Sequence, residues 1–95
     1  MKVEWSAVAL ADLNRFSSFL RERFPRLAPL VGSALIGKAE IIGSNPRIGA
    51  VVEGDEDYRR LVLRVLNAPY VLQYRIAKDR IVILRVFHGR EARET

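Results

Sequence analysis

The chain has 95 residues, 49% of them hydrophobic, with 16 Lys plus Arg against 11 Asp plus Glu and a formal net charge of +5. That composition predicts a single folded domain over residues 1–95 with one modest core, and excludes a disordered chain. The absence of Cys removes disulfides and thiolate metal sites, and no apolar run approaches the ~20 residues needed to span a bilayer.

Lys2 to Trp5 is short and alternating and reads as an edge strand. Because Met1 to Trp5 lacks the apolar core of a signal peptide, the chain is expected to be cytoplasmic. Ser6 stands where an N-cap belongs, and Ala7 to Arg23 has helical periodicity. Ala9, Leu13, Phe16, Leu20 and Phe24 form its apolar stripe, flanked by Val8 and Phe19. Asp12, Asn14, Arg15, Ser18, Glu22 and Arg23 are assigned to the polar side. The stripe is wider than one core needs. Phe24-Pro25 ends the helix, and Pro29 suits the first turn of a second one over Ala28 to Ile42. Gly32 and Gly37 weaken that second helix unless they admit close approach of the first. Gly43-Ser44-Asn45-Pro46 is a stop signal.

Arg47 to Tyr58 reads as a loop holding Gly49, Gly54 and the acidic cluster Glu53, Asp55, Glu56 and Asp57. The cluster lacks the ligand spacing of an EF-hand and is assigned to solvent, so neither metal nor cofactor is expected. Arg59 to Leu66 alternates as a strand and is followed by an Asn67-Ala68-Pro69 connection. Two further strands from Tyr70 onward flank a Lys78-Asp79 turn. In the last strand Val82, Leu84 and Val86 are assigned to one face, with His88 continuing it, and Ile81, Ile83, Arg85 and Phe87 to the other. The expected architecture is α+β in the order β-α-α-β-β-β, with an antiparallel helical hairpin on a small, mainly antiparallel sheet.

The chemistry offered is cationic. There is one His, and no Ser-His-Asp motif or glycine-rich phosphate loop accompanies it. Arg59, Arg60, Arg64, Arg75, Arg85, Arg90 and Arg93 form a basic set, with His88 and Tyr70 near it in sequence. RNA cleavage by 2′-hydroxyl attack needs a base, an acid and cations, which these residue types can supply. The same arginines can equally bind an acidic peptide on an open sheet face, with His88 packed at a strand end.

The order of elements, the Trp5-Ser6-x-x-Ala9-x-x-Asp12-Leu13 entry, the Asn45-Pro46-x-x-Gly49 stop, Arg59-Arg60-Leu61, Tyr70, Tyr74 and the ending Ile83-Leu84-Arg85-Val86-Phe87-His88-Gly89-Arg90 together resemble the RelE/ParE superfamily of type II toxin–antitoxin toxins. In that superfamily RelE-like members cleave messenger RNA at the ribosome, and ParE-like members inhibit DNA gyrase. The nucleases typically carry Arg where Val71 follows Tyr70 here, and some have a catalytic Tyr where Gly89 stands. The resemblance therefore implies a ParE-like, non-enzymatic toxin with a small acidic, ParD-like antitoxin as partner and gyrase as target. It implies neither membrane association nor specific DNA binding by the toxin alone. Antitoxin binding is expected at Phe16, Phe19, Arg64, Arg75 and Arg85, and target binding at His88, Arg90 and Arg93. Were the chain a nuclease, His88, Arg60 and Arg90 would be the catalytic set; a degenerate toxin that only binds its antitoxin is the third reading.

Overall fold

The computed structural model describes residues 1–89; Arg90 and Arg93 lie outside them. Strand β1 (Lys2–Trp5) leads into helix α1 (Ala7–Arg23). Helix α2 (Ala28–Ser44) returns, and strands β2 (Ala50–Val52), β3 (Asp55–Val65), β4 (Ala68–Ile76) and β5 (Arg80–His88) follow. The sheet order is β1-β5-β4-β3-β2, antiparallel throughout except for the parallel β1–β5 pair. This is the expected α+β arrangement, with one strand more. No helix among the described residues is long and apolar enough to cross a membrane.

Local chemistry accounts for most boundaries. Ser6 is extended (φ −65°, ψ 161°), and its hydroxyl accepts the Ala9 amide, capping α1. Pro29 occupies the first turn of α2, where its missing N–H costs nothing. The β4–β5 hairpin closes around Lys78 and Asp79 through the Ala77 amide and the Arg80 carbonyl at 2.8 Å. Gly32 lies against Ser17 of α1, whereas a Cβ at Gly37 would meet nothing within 4 Å. Only the first glycine thus serves the helix–helix approach.

The core lies between the hairpin and one sheet face. Leu35, Ala39 and Ile42 of α2 and Ala9 of α1 meet Leu72, Tyr74, Ile81, Ile83 and Val86, all fully buried. Each large aliphatic side chain among them contributes roughly 1.5–3 kcal/mol by leaving water. Tyr74 also ties down the segment after α2: its hydroxyl donates to the Pro46 carbonyl at 2.6 Å and accepts the Gly49 amide at 3.0 Å.

Several expectations are corrected. The segment 47–58 is not all loop. Ala50–Val52 forms β2, Glu53 and Gly54 turn with φ of 52° and 77°, and β3 already begins at Asp55. The acidic side chains there disguised a strand whose charges are paired: Glu56 with Arg47 and Arg59, and Asp55 with Arg75. β2 pairs β3 only as far as Ala50↔Arg60, with a register shift, so the outer side of β3 beyond that point has no strand neighbour among the described residues. There the Lys38 ammonium of α2 donates to the Arg64 carbonyl. The β3–β4 turn is Leu66-Asn67 rather than 67–69, and Ala68 is already strand.

The largest correction concerns Asp12 and β5. Gln73 faces Arg85 while Tyr74 faces Ile83, so Leu84 is an extra residue that bulges β5. The bulge flips the side-chain parity. Ile81 and Ile83 face the core before it, and Val86 does after it, in place of the predicted Val82-Leu84-Val86 face. β1 pairs β5 only to Trp5↔Ile83. Past that point α1 covers the edge: the Ser6 amide donates to Ile83 O and the Ser6 hydroxyl to Leu84 O, each at 3.0 Å. The Val86 amide donates to Asp12 Oδ2 at 2.8 Å. Arg85 grips the same carboxylate through Nε and Nη2 at 2.9 and 3.1 Å, and Arg15 adds a third cationic bond at 2.9 Å. Asp12, expected on the polar side of its helix, is instead 2% exposed. Burial alone would push its carboxyl up, but the bonds from Arg85, the Val86 amide and Arg15 outweigh this and hold it below the ordinary value of 3.8.

Asp12→Asn should therefore destabilise the fold by about 2–4 kcal/mol, as expected when one partner of a buried, hydrogen-bonded pair loses its charge. Because the folded-state pKa is depressed, the charge-dependent part of that difference is fully present above the unfolded value of 3.8 and is lost as pH falls through the lower, folded one. Urea unfolding from about pH 7 to about pH 2 should show a constant gap between wild type and variant that narrows only at the acid end.

Candidate functional site

The sheet separates two surfaces. On the helix side, α1 and the α1–α2 turn stand away from the end of the sheet and leave a groove of about 600 Å³. Arg15, Phe16, Phe19 and Leu20 line one wall, Phe24, Leu27 and Val31 the top, and Val65, Leu66, Ala68, Tyr70 and His88 the sheet side. The helical repeat of α1 dictates the first wall, because residues three and four apart share a face. Tyr70 is the floor at 4% exposure, and burial pushes its phenol above 10.0. Phe16 and His88 meet the Tyr70 ring edge-on, with centroids 5.5 and 5.4 Å away. Cations stack on the aromatic walls, Arg15 at 4.9 Å over Phe16 and Arg23 at 4.7 Å over Phe19. No carboxylate is among the described residues that line the groove. The rim next to the sheet is the Leu66-Asn67 turn, with φ of 50° and 70°.

The opposite face carries an apolar strip framed by arginines. Val62, Val71 and Phe87 are paired across β3, β4 and β5. Val71 is only 6% exposed, although neither α1 nor α2 lies on this face. Arg60 and Arg85 flank Gln73 on either side, and Arg64 faces Pro69. Arg75 pairs with Asp55 at 3.2 Å and lies 5.4 Å from the Tyr58 ring. Arg85 lies over Phe87 at 4.7 Å and reaches around the strand edge to Asp12.

The predicted residues divide accordingly. Phe16, Phe19 and His88 come together at the groove, while Arg60, Arg64 and Arg75 stand on the open face. Arg85 is committed to Asp12. Arg90 and Arg93 fall outside the described residues. Arg59 leaves the basic set altogether: it is 6% exposed, and its guanidinium donates to Glu56 and to the Arg47 and Gly49 carbonyls. Arg60 and His88 lie on opposite faces of the sheet, and Arg90, the third group expected of a nuclease, lies outside the described residues. Leu66, Arg23 and the α1–α2 turn were missed. For Leu66 the signal was an apolar residue beside Asn67 in a tight hairpin, where polar residues or glycine are usual.

Comparison with known proteins agrees with this architecture. Residues 3–93 match the family described as ParE toxin of type II toxin-antitoxin system, parDE. Toxin RelE3 of Caulobacter vibrioides is 30% identical over 91 residues, covering 96% of this chain and 97% of that protein. Toxin RelE1 of the same organism is 30% identical over 88 residues, covering 93% and 92%. In fold the chain is similar to a solved structure titled as the chromosomal ParDE TA system from P. aeruginosa, with a TM-score of 0.75 at 21% identity over 93% of this chain and 95% of that one.

The two phenylalanines of the groove should separate in a stability assay. Phe16 packs on the core and on Tyr70, so Phe16→Ala should cost about 2–3 kcal/mol. Phe19 is 52% exposed, and Phe19→Ala should stay within about 0.5–1 kcal/mol. Urea midpoints of both variants check this, and a large loss at Phe19 would make it a core residue.

Proposed function

Because the chain belongs to the ParE toxin family of type II toxin–antitoxin systems, we propose that it inhibits DNA gyrase in the cytoplasm without cutting RNA, and that a cognate antitoxin neutralises it. The observation that carries the non-nuclease reading is the separation of Arg60 from His88 by the sheet. Val71 supports it: where superfamily nucleases carry Arg, this chain buries an apolar side chain against Val62 and Phe87. A phosphate would find no cation at that point. Support for the gyrase target comes from the family resemblance alone, and no cofactor is invoked.

The antitoxin reading is supported by the groove. An apolar trough with cations on its walls and no carboxylate among its described lining residues suits a small, acidic, ParD-like protein whose disordered tail folds on binding. Phe16 and Phe19 would take its apolar anchors. Arg64 and Arg75, with Arg85 beside them, would meet carboxylates where the chain continues onto the open face. His88, Arg90 and Arg93 are the proposed target-binding residues. Since His88 lines the groove, an occupant there would cover the start of the effector segment, which accounts for neutralisation by occlusion.

Purified chain should inhibit gyrase supercoiling and lose that inhibition when the antitoxin is added. Arg90→Ala combined with Arg93→Ala should relieve growth inhibition while leaving unfolding within about 0.5 kcal/mol of wild type. Two relatives bear RelE names, so the same preparation belongs in a ribosome-dependent cleavage assay read by primer extension. Cleavage abolished by His88→Ala would replace the gyrase reading with a nuclease.

A further inference from the structure

The β3–β4 turn has an unusual occupant. Both central residues have positive φ, 50° at Leu66 and 70° at Asn67. This two-residue hairpin geometry favours Asn, Asp and Gly, because a Cβ in the left-handed region crowds the following carbonyl. Asn67 fits that rule and Leu66 breaks it. The other such turn in the sheet places a polar Glu53 and a Gly54 at the two positions. Leu66 gains little from folding in return, since 53% of it remains exposed. A strained backbone holding an exposed apolar side chain is an observation from which a functional role can be argued. Its place gives the role: Leu66 lies on the rim of the groove beside Val65 and Ala68, facing a wall whose aromatic rings carry Arg15 and Arg23.

We infer that Leu66 is the specificity-determining anchor of the groove, presented by its turn to the apolar side of an acidic, amphipathic antitoxin segment. The inference rests on the antitoxin reading above and deepens it. Tyr70, Val31 and Val65 are buried and serve the fold whether or not a partner is present. Leu66 is the lining residue that costs the free toxin backbone strain, so its side chain is the one a partner completes. Arg23, stacked over Phe19 on the wall, selects carboxylates on the flanks of the same segment.

The test uses the full chain and, as probe, the small acidic protein encoded by the adjoining reading frame, titrated by calorimetry. Leu66→Asn should raise the melting temperature by about 4–8 °C, because it relieves the turn, and should weaken binding at least about tenfold, because it removes an apolar side chain buried in the complex. Leu66→Met keeps both the apolar bulk and the strain, so affinity should stay within about threefold of wild type, with no gain in melting temperature. Opposite signs for stability and binding are the signature. Unchanged affinity in Leu66→Asn, with wild type still binding, overturns the Leu66 role and leaves the antitoxin reading standing. A lowered melting temperature overturns it too, by showing that Leu66 serves the fold. Failure of folded wild type to bind the probe removes the antitoxin reading itself, and the Leu66 role with it.

Discussion

The Asp12 carboxylate at the edge of β5 is the point on which the molecule turns. β1 is too short to pair the whole of β5, and an uncovered amide at Val86 would be left without a partner in the interior. α1 takes over where β1 stops, with Ser6 receiving the strand into the helix and Asp12 accepting the Val86 amide one and a half turns later. The same carboxylate neutralises Arg85. The bulge at Leu84 is thereby fixed, and with it the side of the sheet on which each later residue emerges. His88 reaches the groove and Phe87 the open face because of this arrangement. Moving the register by one residue would exchange them.

Much of the fold could be read directly. Ser6, Pro25, Pro29 and the Gly43–Pro46 stop are local signals whose chemistry acts within a few residues, and the helices begin and end there within two residues of expectation. Long-range pairings were harder to read. Strict alternation assigned β5 to the wrong face up to the bulge, because a bulge is invisible to a period-two pattern. Asp12 was placed by its charge, although its spacing from Ala9 and Phe16 puts it on the buried stripe; the partner that makes burial favourable lies 73 residues away. Acidic residues hid β2 and the start of β3 for the same reason, since their arginine partners come from other segments.

The functional surface was legible in part. Phe16 and Phe19 were visible as an overwide stripe, and they do wall the groove. The arginines were visible as a set but not as a division between faces. Only the sheet pairing shows that Arg60 and His88 point apart, that Arg59 is a structural ligand of backbone carbonyls, and that Arg85 is tied to Asp12. Residue type gave the chemistry available; topology decides which groups can act on one molecule at one time.

The unfinished pairing along the outer side of β3 bears on how the chain behaves in a crowded solution. A long strand with free backbone donors and acceptors is a template for another copy, and addition of strand to strand would build open-ended fibres. β2 shields the first part of β3 and then stops at Ala50↔Arg60. Over the remainder, the Lys38 ammonium occupies the Arg64 carbonyl and sets a positive charge in the path of an incoming backbone. A second copy would have to displace that amine and bring its own lysine against it. A single side chain from the helix layer thus obstructs strand addition along this part of β3.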